Sequence, residues 1–147
     1  MKMSTKGRYA VRTLLSIARN QHNGPVSKKV IADEECISAD YIEQIIVPLK
    51  NHGLTIGMRG VKGGFVLAKE PADITIYDIL CASEGDVTIV DCIRNDCKGR
   101  DKSTCVTRPV WDGASAVLAA YFSKITLKEL LDKEVACVKN RPASYTI

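Results

Sequence analysis

Residues 38–68 read SADYIEQIIVPLKNHGLTIGMRGVKGGFVLA, and the stretch divides into two periodicities. Ile42, Ile45, Ile46 and Leu49 recur at i, i+3, i+4 and i+7, the stripe of a helix with one face on a core. Ser38 stands just ahead of that stripe, where its hydroxyl can accept from free backbone N–H groups of the first turn. The stripe leaves Asp40, Glu43, Gln44 and Val47 pointing away. Pro48 has no N–H to bond back to Gln44, so a kink or a tightened turn is expected there. Asn51-His52-Gly53 ends the helix. From Leu54 the period falls to two. Leu54 and Ile56 alternate on one arm and Phe65 and Leu67 on the other, around a basic, glycine-rich tip at 58–64.

Upstream, residues 5–20 carry Val11, Leu14, Leu15 and Ala18 at helical spacing, with Lys6, Arg8, Arg12 and Arg19 between them. Gly24-Pro25 breaks that helix. Ser27 can cap a short second helix through Ile31 and Ala32, and Cys36-Ile37 makes the turn into the third. Helix, short helix, turn, helix and basic hairpin is the order of a winged helix-turn-helix, expected to fill residues 1–70 and to close at Pro71. Charge agrees. Residues 1–70 hold 11 Lys/Arg against 6 Asp/Glu, whereas residues 71–147 hold 10 against 11. The positive excess sits where a phosphate-binding module is expected.

Groove dimensions then assign roles. The third helix fits the major groove, where Tyr41, Glu43 and Gln44 can read or gate base edges. Gln pairs with an adenine edge in two places. Glu accepts from cytosine and repels phosphate, which penalises wrong sites. Arg59 at the hairpin tip suits the negative potential of a minor groove. The full expected DNA-contacting set is Lys2, Lys28, Ser38, Asp40, Tyr41, Glu43, Gln44, Arg59, Gly60 and Lys62.

The second half, 71–135, opens on a helix at 74–84, with a capping box between Thr75 and Asp78 and an apolar face of Ile76, Ile79 and Leu80. Residues 85–106 show no periodicity. A long helix follows from about Pro109, with Trp111, Ala114, Leu118, Tyr121 and Ile125 spaced 3, 4, 3, 4. A seam of under three heptads serves either helix pairing or core packing. Thr126 and Glu129 form another capping box, and Leu127, Leu130 and Leu131 pack the chain back. Residues 136–147 read as a loose tail.

Six cysteines are present: Cys36, Cys81, Cys92, Cys97, Cys105 and Cys137. Cys36 and Cys81 interrupt apolar helical stretches and are expected to be buried. Cys137 falls in the tail. Cys92, Cys97 and Cys105 cluster in a loop rich in Gly, Asp and Lys. Soft thiolates suit an iron–sulfur cluster or zinc, although gaps of four and seven residues are not a zinc-finger spacing; the bland alternative is a set of reduced thiols.

The chain resembles the Rrf2 family of winged-helix regulators. The opening MKMSTKGRYA, the segment SADYIEQ leading to Leu49, and the wing residues Arg59-Gly60, Gly63-Gly64 and Val66-Leu67 carry the likeness, which runs from Met1 to about Leu131. The resemblance implies a fold that is mainly α with a small β wing, a winged helix-turn-helix plus a long C-terminal dimerisation helix at 109–125, and hence a homodimer on double-stranded promoter DNA. It also implies a cluster, 2Fe–2S in the first instance and 4Fe–4S as the other form, on Cys92, Cys97 and Cys105. In that branch of the family a His follows the third Cys. Here the position is Arg108, which cannot ligate. The fourth ligand is left to Asp91, Asp96, Asp101, Cys81, solvent or the partner chain.

The function expected is therefore a transcription regulator, a repressor in the first instance, of iron–sulfur cluster assembly genes. The alternative is a cluster-free regulator of cysteine metabolism controlled by a partner protein. An enzyme is not expected, since there is no Cys-x-x-Cys and neither His22 nor His52 lies near the thiols. No apolar run approaches membrane-helix length, and the polar N-terminus lacks a signal-peptide core, so a cytoplasmic location is expected.

Overall fold

The structure, a computed structural model, describes residues 3–93 and 102–139 of the chain. Among the described residues six helices and one hairpin follow in order: α1 (Thr5–Asn20), α2 (Lys28–Glu35), α3 (Ala39–Asn51), β1 (Thr55–Met58), β2 (Gly64–Leu67), α4 (Ile76–Glu84), α5 (Arg108–Ser123) and α6 (Leu127–Lys139). Short 3-10 turns at Asp91–Ile93 and Lys102–Thr104 flank the cysteine segment.

Each of the first four helices starts on a hydroxyl. Ser4, Ser27 and Ser38 accept from the N–H groups of Gly7, Val30 and Tyr41, and Thr75 with Asp78 forms a complete capping box. The expected stripe of α3 holds: Ile42, Ile45, Ile46 and Leu49 are buried, while Val47 stays 54% exposed. The helix runs on through Pro48 to Asn51, and the His52 N–H bonds the Pro48 carbonyl at 3.1 Å.

The hairpin pairs Thr55 with Leu67 through to Met58 with Gly64. Its alternation differs from expectation at one arm. Leu54 is buried ahead of the ladder, bonding back to the Leu49 carbonyl, so Thr55 turns inward and Ile56 outward. The wing is tied to the α1–α2 connection. Val26 and Phe65 exchange two backbone hydrogen bonds, at 2.9 and 2.8 Å, and the Leu67 N–H bonds Gln21 Oε1. Gly64 permits that approach, because a Cβ there would lie 2.5 Å from the carbonyl carbon and oxygen of Val26.

The second half shares the core of the first. Ile74, Ile76, Ile79, Leu80, Ala82 and Leu127 join Leu14, Ile17, Ile42 and Ile45 in one apolar cluster. A small bridge fixes the starts of α4 and α6: Ile76 N–H bonds Ile125 O and Leu127 N–H bonds Ile74 O. The α6 helix continues to Lys139, so Cys137 lies exposed on a helix and not in a tail. The predicted seam on α5 splits. Ile125 packs on the core and Leu118 is half-buried, whereas Trp111 and Tyr121 stay exposed together with Val110 and Val117. The spacing located an apolar stripe but not which side of it faced this chain.

An ion-pair cluster joins α1, α2 and α6. Arg12 Nε and Arg19 Nη2 both lie 2.8 Å from the Glu35 carboxylate, and Arg12 also donates to the Glu35 carbonyl. The Glu35 side chain is only 11% exposed. Arg19 reaches Glu34 at 3.2 Å and Glu134 of α6 at 3.1 Å. Partial burial pulls the Arg19 pKa down, but the hydrogen bond to Glu35 and the field of three carboxylates outweigh it and leave it raised.

Gly64→Ala pushes a methyl group against the Val26 backbone, which cannot step aside, and costs about 1–3 kcal/mol. Gly57→Ala, whose Cβ would come no closer than 3.8 Å to the Phe65 ring, serves as the tolerated control in the same thermal melts. Glu35→Ala lowers stability by about 1–3 kcal/mol. Glu134→Ala removes an exposed partner of the same Arg19 and changes stability by at most about 0.5 kcal/mol. Equal losses in the Glu pair would show that burial does not set the strength of this cluster.

Candidate nucleic-acid interface and cysteine segment

The outward face of α3 carries Asp40, Glu43, Gln44 and Val47, all exposed, and its cap Ser38 is exposed as well. Tyr41 sits differently from its expected role. It is half-buried, with its ring edge-on to Tyr9 of α1 at 5.9 Å and 82°. The Arg12 guanidinium lies 5.4 Å from the Tyr9 ring centre. Tyr41 thus leans α3 on the cation cluster of α1, and only part of it faces solvent. Glu43 is engaged too: its carboxylate accepts from Lys28 Nζ, on the first residue of α2, at 3.1 Å.

At the hairpin tip Arg59, Gly60, Val61 and Lys62 are all exposed. Gly60 turns the chain with a φ of 120°, and its carbonyl accepts from the Gly63 N–H. The tip therefore presents Arg59 and Lys62 on a narrow loop. Lys2 lies outside the described residues.

Cys92 and Cys105 are brought to the start of α5. The backbone N–H of Arg108 donates to the Cys105 carbonyl at 3.2 Å, and its Nη1 donates to the Cys92 carbonyl at 3.4 Å. Its Nε also faces Asp112 at 3.6 Å. The residue in the expected His position is thus a clasp between the two ends of the cysteine segment. Both thiols are half-buried, and the Cys105 sulfur lies 3.5 Å from the Thr107 hydroxyl. Cys97, Asp96 and Asp101 lie outside the described residues, and among the described residues no group of three His, Cys, Asp or Glu side chains gathers.

The remaining cysteines stand apart. Cys36 is a correction: it is exposed, because it ends α2 in the left-handed conformation, φ 53°, which turns its side chain out of the core. Cys81 is half-buried and bonded to the Tyr77 hydroxyl, whose pKa that bond raises. Between α4, α5 and the start of α1 lies a cavity of about 340 Å³, walled by Leu118, Phe122, Glu84 and Asp91. Ser4 Oγ donates to Glu84 across it at 2.5 Å, and the Ile89 N–H bonds Ser115 of α5. The segment that leads into Cys92 is thereby tied to α5, and it lines the same cavity as Ser4, the cap of α1.

Sequence reasoning missed the Arg12–Glu35–Arg19 cluster, the Tyr9–Tyr41 contact and the Lys28–Glu43 pair. A signal existed for the first: Arg12 and Arg19 are seven residues apart, on one face of α1, opposite the acidic run Asp33-Glu34-Glu35. The other two depend on how α2 and α3 cross α1, which no local pattern encodes.

The comparisons with known proteins agree with this architecture. The model of the Rrf2 family, described as an iron-dependent transcriptional regulator, matches residues 3–133. The HTH-type transcriptional regulator IscR of Enterobacter sp. (strain 638) is 35% identical over 147 residues, covering 99% of this chain and 89% of the relative. Among solved structures, IscR of T. potens superposes with a TM-score of 0.73 at 34% identity, covering 91% of this chain and 88% of that one. The global cysteine regulator CymR of B. subtilis also reaches 0.73, at 32% identity, covering 90% and 98%. Such relatives are DNA-binding transcription regulators and not enzymes. No helix among the described residues is long and apolar enough to cross a membrane. With the family model spanning nearly all of the sequence, the chain belongs to the Rrf2 family of transcriptional regulators.

Proposed function

We propose that the chain is a homodimeric promoter-binding repressor that reads DNA with α3 and the wing and takes its input from an iron–sulfur cluster in the segment 92–105. The observation that carries the DNA half is the exposed face of α3 leading directly into a basic, exposed wing tip. Asp40, Glu43 and Gln44 would meet base edges, Tyr41 would support the helix and reach the backbone, and Ser38, Lys28, Lys62 and Lys2 would contact phosphates. Arg59 would enter the minor groove, with Gly60 allowing close approach. The apolar stripe Val110, Trp111, Val117 and Tyr121 on α5 is the surface a second copy would cover, and pairing would present two recognition helices to a roughly palindromic site.

Cys92, Cys97 and Cys105 would hold the cluster. The Arg108 clasp, which draws the ends of that segment together, supports this reading, as does the family's description as iron-dependent. When bound, a cluster held by three thiolates and a weak fourth ligand supplies a labile, iron-dependent input. Arg108 itself orients the segment and leaves the fourth position to another group. The Ile89–Ser115 hydrogen bond ties the residues ahead of Cys92 to α5, and the cavity that they share with Ser4 would give the segment a route to α1. Control of iron–sulfur assembly genes in the cytoplasm completes the proposal. A cluster-free regulator answering to a partner protein is the second reading, supported by an equal superposition on a cysteine regulator.

Protein purified without air should be brown, absorb in the visible range and contain iron and acid-labile sulfide. Cys92→Ser and Cys105→Ser should abolish all three signals. Colourless protein with neither iron nor sulfide would favour the second reading. For the wing, Arg59→Ala should weaken binding to a selected duplex by about 1–3 kcal/mol, measured by fluorescence anisotropy. Undiminished affinity would take Arg59 out of the interface.

A further inference from the structure

The Lys28–Glu43 pair joins the two helices of the helix-turn-helix across the surface that would face DNA. Its ends are open to solvent, 48% and 62% exposed, so it adds little to the stability of the fold. Its consequence lies at the surface. Asp40 and Glu43 place two carboxylates on the outward face of α3, against a polyanion. Lys28 cancels one of those charges and fixes where the Glu43 oxygens point. An ammonium has three donors, so Lys28 can hold Glu43 with one and a backbone phosphate with another.

We infer that Lys28 is a specificity-determining residue: it bridges a DNA phosphate and Glu43, and so turns a carboxylate that repels DNA into one aimed at base edges. The inference rests on the reading that α3 faces the major groove. Without Lys28 the Glu43 charge stands unscreened in the interface, and only bases that donate to it are tolerated. Once Glu43 is replaced by the uncharged amide there is no charge to manage, and Lys28 is reduced to an ordinary phosphate contact.

The test is a double-mutant cycle on the full chain with Lys28→Met, Glu43→Gln and the combination. Affinity is measured for a duplex selected by the wild-type protein from a randomised library, and for a scrambled duplex of equal length, across a salt series. Lys28→Met should weaken binding about five-fold more in the wild-type background than in the Glu43→Gln background, the size of an exposed charge pair. The ratio of selected to scrambled affinity should shift from the wild-type value in the Lys28→Met variant, whereas the double should keep the ratio of the Glu43→Gln single. Thermal melts of all three should match the wild type. Equal, additive losses with an unchanged ratio would reduce Lys28 to a phosphate contact and overturn the inference while leaving the α3 reading intact. Lowered melting with unchanged selectivity would make the pair structural and overturn it too. If neither single variant changes binding to the selected duplex, the α3 reading falls along with the inference.

Discussion

Two guanidinium groups of α1 converge on the carboxylate of Glu35, at the end of α2. Removing that carboxylate from water is costly unless its lone pairs are filled, and here Arg12 and Arg19 fill them from either side. The clamp joins the end of α2 to α1. Arg12 carries it onward to the Tyr9 ring, and Tyr9 meets Tyr41 of α3. Arg19 carries it the other way, to Glu134 of α6. A single partly buried acid thus stands between the helix that would read DNA and the last helix of the second half.

The second half is more than an appendage in physical terms. Its first helix, α4, completes the core under α1, and the bridge at Thr75 and Thr126 ties α4 to α6. The cysteine segment returns to the start of α5, where Arg108 holds both of its ends. An arginine there cannot ligate a metal, but its hydrogen bond to the Cys92 carbonyl can organise a loop that would. The residues just ahead of Cys92, among them Val87, Thr88 and Asp91, border a cavity together with Ser4, the cap of α1. Events at the cysteines and at the reading head would share that wall.

Much of the fold was legible because it is locally encoded. The stripe Ile42, Ile45, Ile46 and Leu49, the hydroxyl caps and the switch to period two at Leu54 each express one element's geometry in adjacent residues. What was not legible depended on long-range placement. Cys36 has the composition of a core residue, yet the left-handed end of α2 turns it outward. The α5 stripe could be found from its spacing, but which edge met this chain depended on where α4 and α6 lay. The candidate site divides the same way. Exposed Glu43, Gln44 and Arg59 followed from periodicity and turn chemistry. The partners that set their behaviour, Lys28 for Glu43 and Tyr9 for Tyr41, come from other elements.

In the function proposed above, α3 and the wing together form the DNA-reading surface of a paired molecule. Hydroxyl-radical footprinting of the wild-type chain on a selected duplex tests it most directly. The account predicts two protected blocks on one face of the helix, roughly one turn apart or a multiple of it, each flanked by a protected minor groove. A single block without minor-groove protection, or protection that spreads evenly along any duplex, would contradict it.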